Sequence, residues 1–333
     1  MTLTHDTTTT SAIPVRQVDR LYHDTQSSTE TTEVRTRAWA FASTYVAPAA
    51  VRIAAGDEVD DGFPADVHGA GLARPASATA AVVEVLAYDS NSVAAIFDVH
   101  CILAGNALNQ GSPEQRNRWL TPLVRGEIIG AFATSEPGAS SDLSPQAVQT
   151  IATRTATGWR LDGRKRWITN SPVAEVIVIL ARTGEWLSLF TVPTTTPGVT
   201  VGRADRKLGN KGQLTADVIL DGVELPDDAL LGTEGGGLKI ALSTLTYGRI
   251  GIAAAGVGMA QAAFDHMADR LSTREAFASS GRCSTGSSSW PITRSPSNPP
   301  APCTSRPRSG STGATRSPSR KRRWPNSPAP SCR

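Results

Sequence analysis

Two runs of residues carry types and spacing that could do chemistry. The first is Phe132, Ala133, Thr134, Ser135, Glu136, Pro137, Gly138, Ala139, Ser140, Ser141 and Asp142. The second is Lys165, Arg166, Trp167, Ile168, Thr169 and Asn170. The first reads as a short strand entering a turn rich in small residues and hydroxyls. The second reads as part of a β-hairpin that returns a Trp and a Thr toward that turn. Together they supply a flat stacking surface and hydrogen-bond donors, a combination suited to a planar heteroaromatic ring. An ordinary turn and hairpin with Trp167 as a core aromatic is the competing reading.

Other chemistries lack their residues. None of the five His stands in a nucleophile-elbow context and no Gly-x-Ser-x-Gly occurs, which argues against a Ser hydrolase. No Gly-x-Gly-x-x-Gly follows a strand, which argues against a nicotinamide site. Gly235, Gly236 and Gly237 lead into no Gly-Lys-Ser or Gly-Lys-Thr and read as a hinge before a helix. Cys101 stands alone in the body of the chain, and Cys283, Cys303 and Cys332 lie near its end. No metal-ligand spacing appears.

The two runs, the helix-to-strand-to-helix order across residues 80 to 277, and the Arg-x-x-Phe formed by Arg274 and Phe277 resemble the acyl-CoA dehydrogenase family of flavoproteins. The resemblance implies FAD as cofactor. It also implies an α+β fold: an N-terminal helical domain, a middle β-domain and a C-terminal helical bundle, truncated here. Phe132 and Thr134 would present backbone groups to the flavin pyrimidine edge, Ser135 would add a hydroxyl, Trp167 would pack against the ring, and Thr169 would donate toward N5. Ser141 would lie near the pantetheine or ribityl phosphate side, and Arg249 beside the acyl site. Arg274 and Phe277 match positions that reach the FAD pyrophosphate and adenine of a neighbouring subunit, so the resemblance implies a homo-oligomer. Two departures stand out: Thr134 replaces an aliphatic residue, and Ser140 replaces Gly, which bears on close backbone approach.

The implied activity is α,β-dehydrogenation of an acyl thioester carried by coenzyme A or an acyl carrier protein. An electron-transfer flavoprotein or another acceptor would take the electrons. Removing the α-proton needs a positioned carboxylate of suitable pKa. In most relatives this is a Glu far into the C-terminal domain, which this chain does not carry in frame. In a minority it immediately precedes the Arg matched by Arg249, where this chain reads Tyr247 and Gly248. No catalytic base is identified, because Glu136 belongs to the turn and Glu234 and Glu275 read as surface residues. The chain as written is therefore expected to be inactive. A non-catalytic remnant that binds partners or flavin weakly, and a same-fold flavin oxidase or monooxygenase, are the alternatives.

The elements that must position these residues follow from patterning. Residues 1–30 read as a disordered arm and 31–127 as the helical domain, with helical spacing over Ala80 to Leu86 and Ser92 to Leu108. Ser112, Pro113, Glu114 and Gln115 read as an N-cap, a first-turn Pro and early polar residues opening another helix. The stretch from Asp66 to Thr79 looks short for the family, as though residues were missing. Residues 128–236 read as the β-domain, with strands at Ile128 to Thr134, Gln149 to Thr155, Trp159 to Trp167, Val176 to Arg182, Trp186 to Val192 and Asp217 to Leu225. Residues 237–277 open the last helical domain, with Ile252, Ala255, Met259, Ala263, Met267 and Leu271 as one apolar face.

Charge divides the 333 residues unevenly. Ten of the 33 Lys and Arg, and none of the 30 Asp and Glu, fall in residues 278–333, so the overall +3 sums over unlike parts. The segment Ser319 to Trp324 could be read as a nucleic-acid patch. The favoured reading is translation in a shifted frame after Phe277, because Ser, Pro, Arg, Thr, Gly and Cys are what GC-rich DNA yields out of register. A stop-free offset reading there permits a Gln-bearing amphipathic helix. No nucleic-acid partner is expected. No apolar run approaches the roughly 18 residues of a membrane span. Met1 to Thr10 lacks the apolar centre of a signal peptide. These features predict a cytoplasmic protein with no membrane partner.

Overall fold

The computed structural model describes residues 29–50, 76–139, 142–273, 275–276 and 279–280. The expected N-terminal arm, most of the stretch between Asp66 and Thr79, and the basic tail lie outside them. Helix α1 (Thr29–Phe41) continues into a π-helical turn at Ala42–Val46. Helix α2 (Ala76–Asp89) is Ala- and Val-rich and almost wholly buried, with Trp39 of α1 meeting its Tyr88 edge to face at 5.0 Å. Ser90 is extended and separates α2 from the next helix. That helix runs as α3 (Asn91–Phe97), a π-helical stretch (Asp98–Ala104) and α4 (Gly105–Leu108).

The predicted cap at Ser112 is present. Its Oγ accepts from Gln115 N at 3.2 Å, and Gln115 Oε1 accepts from Ser112 N at 2.9 Å, a reciprocal capping box that opens α5 (Pro113–Gln115). Gln115 Nε2 also donates to the carbonyls of Asp228 and Leu230, fastening the helical layer to the β-domain. A π-helical turn leads to α6 (Thr121–Arg125), which ends at Gly126 with φ 74°.

Eight strands form one sheet: β1 (Gly130–Ala133), β2 (Ile151–Arg154), β3 (Gly158–Thr169), β4 (Val176–Thr183), β5 (Trp186–Pro193), β6 (Val199–Val201), β7 (Thr215–Pro226) and β8 (Leu230–Leu231). The order is β6-β7-β3-β2-β4-β5-β8, with β1 parallel to β4 off this path. Six of these strands match the expected segments. Strands β6 and β8 went unseen because three and two residues are too short to show alternation. Trp159 and Phe190 centre the sheet core, 5.2 Å apart and edge to face. A second core joins Ala104, Leu108 and Leu123 to Phe132, Val178 and Leu189, so the helices and the sheet share one interior.

Helix α7 (Gly237–Thr273) leaves most of the apolar face read from the sequence exposed, with Ala255 alone of the residues named there turned to the buried side. Ile252, Met259, Ala263 and Met267 are exposed, whereas the stripe through Ala241, Thr244, Gly248, Gly251, Ala255, Gly258 and Ala262 is buried. The small residues win because they let α7 lie close to α2 and α3, where the larger apolar side chains would not fit. Both faces of α7 are thus apolar, and only one is covered among the described residues. Asn91–Leu108 and Gly237–Leu271 are also long and apolar enough to cross a membrane, contrary to the sequence reading. The first packs largely into the interior, which accounts for its composition.

A Cβ at Gly258 would overlap the Glu84 carbonyl, whereas Gly256 faces open space. Gly258→Ala should therefore destabilise the chain by about 1 to 3 kcal/mol through overpacking. Gly256→Ala should stabilise it by about 0.5 to 1 kcal/mol through helix propensity. Urea denaturation of the two variants checks the pair.

Candidate functional site

The loop after β1 is held by a buried ion pair. Glu136 and Lys165 are both out of solvent, with Lys165 Nζ 2.7 Å from Glu136 Oε1. The carboxylate also accepts from Gln149 N at 2.6 Å and Thr150 N at 3.0 Å, so one side chain ties the loop to the approach of β2 and to β3. Lys165 Nζ reaches the Thr134 carbonyl at 3.5 Å, and Arg166 N donates to the Ser135 carbonyl at 2.9 Å. Burial alone would raise the Glu136 carboxyl, but the Lys165 ammonium and the hydrogen bonds outweigh it and hold the group below its ordinary value. Burial pushes the Lys165 ammonium down to about 8 against the pull of Glu136.

The same strand then turns its Trp outward. A β-bulge between Lys165 and Ile168 breaks the alternation, so Lys165 and Ile168 both point inward. Trp167 takes φ 59° and is 59% exposed, with the Arg166 guanidinium 5.3 Å from its ring centroid. A bulky residue in that region is strained, and such strain concentrates at working sites. Thr169 Oγ1 accepts from Gln213 Nε2 at 2.7 Å, which leaves its own hydroxyl hydrogen free to be donated. Asn170 has φ 66° and is buried; its N donates to Leu214 O and its Nδ2 to Ile96 O at 3.1 Å. The end of β3 is thus locked to α3.

Strand β1 keeps one edge open. The carbonyl of Ile129 accepts from Val176 N on the β4 side, whereas Gly130 N donates away from β4 to His100 Nδ1 at 3.1 Å. By the two-residue period of a strand, the backbone groups of Phe132 face the same way as those of Gly130, away from β4, and Thr134 follows just past the strand end. Among the described residues β1 pairs with β4 alone. The unpaired edge of β1, the exposed Trp167 ring and the Thr169 hydroxyl offer backbone hydrogen-bonding groups, a flat apolar face and a donor, the types of group that a planar heteroaromatic cofactor would need.

The remaining expected residues fall elsewhere. Phe132 and Thr134 have buried side chains, so only their backbone can meet a ligand, and Ser135 is half-buried beside Arg166. Arg249 is exposed on α7, one position after Gly248, which packs on Leu103. Ser141, Arg274 and Phe277 lie outside the described residues, as does Ser140. Glu234 is exposed, as its reading required. The residue that sequence reasoning missed is Lys165. A cation inside an otherwise β-patterned strand, with a lone acid in the preceding turn, is the signal that could have found it.

His100 sets the other flank. Nδ1 accepts from Gly130 N, so Nε2 carries the hydrogen and donates to the Leu123 carbonyl at 3.1 Å. Both nitrogens are satisfied only in the neutral ring, and burial lowers its pKa to about 4.

Two outcomes follow. Glu136→Gln or Lys165→Met should each cost about 3 to 5 kcal/mol by leaving a buried charge or donor unpaired, with part of the loss recovered in the double variant. Urea titrations around a double-mutant cycle measure this. His100 takes up its proton near pH 6.5 when unfolded and near pH 4 when folded. Its contribution to stability is therefore complete above pH 6.5 and falls by about 3 kcal/mol between pH 6.5 and 4. The parent should lose that much more stability on acidification than His100→Asn.

Comparison with known proteins supplies the context for this geometry. Residues 28–127, 131–223 and 235–281 match the N-terminal, middle and C-terminal domain models of acyl-CoA dehydrogenase. The chain is 40% identical over 220 residues to the mitochondrial short-chain specific acyl-CoA dehydrogenase of Homo sapiens, covering 64% of this chain and 52% of that protein. It is 38% identical over 194 residues to an acyl-CoA dehydrogenase of Bacillus subtilis, covering 56% and 51%. The chain spans about half the length of the curated relatives it matches. Among solved structures, butyryl-CoA dehydrogenase from Megasphaera elsdenii superposes with a TM-score of 0.75 at 28% identity, over 79% of this chain and 74% of that one. The FAD complex of PigA shares the fold, with a TM-score of 0.72 at 23% identity over 77% and 72%. With all three domain models matching in order along one chain, this protein belongs to the acyl-CoA dehydrogenase family.

Proposed function

We propose that this chain is a FAD-dependent dehydrogenase of short acyl thioesters. The observation that carries the reading is the open edge of β1 beside an outward-turned Trp167. Backbone groups of Phe132 and Thr134 meet the polar edge of the isoalloxazine, the Trp167 face packs on the ring, and Thr169 donates its free hydroxyl hydrogen. Ser135 adds a hydroxyl at the same edge. Ser141 and Arg249 serve the thioester, and Arg274 and Phe277 complete the cofactor site of a neighbouring copy in a homo-oligomer. FAD supplies a two-electron acceptor. The protein's part is to orient the ring, exclude water through the Glu136 and Lys165 loop, and bind the thioester carbonyl so that its α-proton is acidified.

Two of the relatives, the human short-chain specific acyl-CoA dehydrogenase and the Megasphaera elsdenii butyryl-CoA dehydrogenase, carry short acyl groups in their names, which supports a short-chain substrate. The acyl carrier is coenzyme A or an acyl carrier protein, and an electron-transfer flavoprotein or another acceptor takes the electrons.

With the reading frame after Phe277 restored, the protein purified with excess FAD and desalted should retain flavin. Trp167→Ala should weaken retention by about 1 to 3 kcal/mol, roughly five- to 150-fold, through lost stacking and packing. Anaerobic addition of butyryl-CoA or butyryl-carrier protein should bleach the flavin absorbance. A yellow protein that no saturated acyl thioester bleaches would shift the assignment to a same-fold flavin enzyme that uses oxygen.

A further inference from the structure

The loop that joins β6 to β7, residues 202–214, lies against the end of β3 and is anchored on several sides. Its Asn210, at φ 51°, accepts at Oδ1 from Asn91 Nδ2 at the start of α3, at 2.9 Å. The Leu214 carbonyl accepts from Asn170 N at 2.9 Å, and Asp205 N donates to the Thr215 carbonyl at 2.8 Å. Gln213 is fixed through its backbone, with its N donating to the Asn210 carbonyl at 3.1 Å and its own carbonyl taking the Lys207 ammonium. The loop therefore does not depend on the Gln213 side chain for its place. That side chain is half-buried, and its Nε2 donates to Thr169 Oγ1 at 2.7 Å.

A threonine hydroxyl has one hydrogen and two lone pairs. The branched Cβ leaves χ1 little freedom, so the torsion of the hydroxyl hydrogen is what a neighbour can still set. An N–H aimed at Oγ1 fills a lone pair and repels the hydroxyl hydrogen from that side. Among the described residues no protein group accepts that hydrogen, although Thr169 is half-buried. It is left for a group that the protein binds.

We propose that Gln213 is a positioning residue for the cofactor: its side-chain amide makes the Thr169 hydroxyl an obligate donor and holds its hydrogen toward the flavin ring. The assignment rests on the FAD-dependent reading above and adds to it the group that sets the direction of the bond. A donor fixed before charge develops on the ring needs no reorganisation at the moment of reaction.

The chemistry of the side chain makes this testable. An ionised carboxylate only accepts, so Gln213→Glu should draw the Thr169 hydrogen to itself and away from the ring. Gln213→Met fills similar space and leaves the hydroxyl untied. Both variants keep the anchors at Asn91, Asn170 and Lys207, which engage other residues or the backbone.

In the chain as written, without cofactor, nuclear magnetic resonance should show a Gln213 side-chain amide hydrogen that exchanges slowly with solvent and loses its protection in Thr169→Val. In the frame-restored protein loaded with FAD carrying the heavy nitrogen isotope at N5, the N5 resonance should move toward its position without a hydrogen bond in Gln213→Glu, as far as in Thr169→Val. Gln213→Glu should add nothing in the Thr169→Val background. Single-turnover bleaching by butyryl-CoA should slow by about tenfold in Gln213→Glu, the worth of one hydrogen bond, and by less in Gln213→Met. An unprotected amide, an N5 resonance unmoved by Gln213→Glu, or a shift of equal size with Thr169 absent would overturn the assignment. If the frame-restored parent binds no FAD, the flavin reading falls and the Gln213 assignment with it. If the parent binds FAD and bleaches while Gln213→Glu leaves N5 unmoved, only the Gln213 assignment falls.

Discussion

Lys165 and Glu136 meet at 2.7 Å with neither side chain in contact with solvent, and the geometry of the site depends on that pair. An isolated buried ammonium or carboxylate would cost several kcal/mol. Each is tolerable only with the other present and with the amides of Gln149 and Thr150 completing the carboxylate's needs. The start of the loop after β1 is therefore held against β3. Thr134 and Ser135 are drawn to Lys165 and Arg166 by the same contacts.

A second consequence runs along β3. With Lys165 pinned inward, strict alternation would bury Trp167 as well. The bulge spends one residue to reverse the side, places Ile168 in the core and turns the indole outward. Asn170 then takes a left-handed conformation that Asn tolerates better than most residues, and its side chain reaches Ile96. Two backbone irregularities three residues apart thus turn the end of a core strand outward and couple it to α3.

The helical layer meets these demands with small residues. Gly248, Gly251 and Gly258 let α7 approach α2 and α3 closely enough for backbone and carboxylate atoms to touch. Larger apolar residues of α7 are displaced to its other face, where Ile252, Met259 and Met267 are exposed. The apolar periodicity noted from the sequence is real, but it marks that second face and not the buried one.

The sequence alone determined the family, the order of helices and strands, the Ser112 cap and the two runs that form the site. These are local matters of propensity, turn chemistry and motif spacing, which act within a few residues and are visible in composition. Strands of two or three residues fall below the length at which alternation can be read. Tertiary structure alone decided which face of α7 is buried, that Glu136 finds Lys165, that Trp167 points outward despite its strand, and that Asp98 Oδ1 is buried with no partner among the described residues. Each of these depends on atoms brought together from distant segments, where burial raises the cost of an unpaired charge and close packing separates glycine from methionine. No spacing along the chain encodes those two conditions.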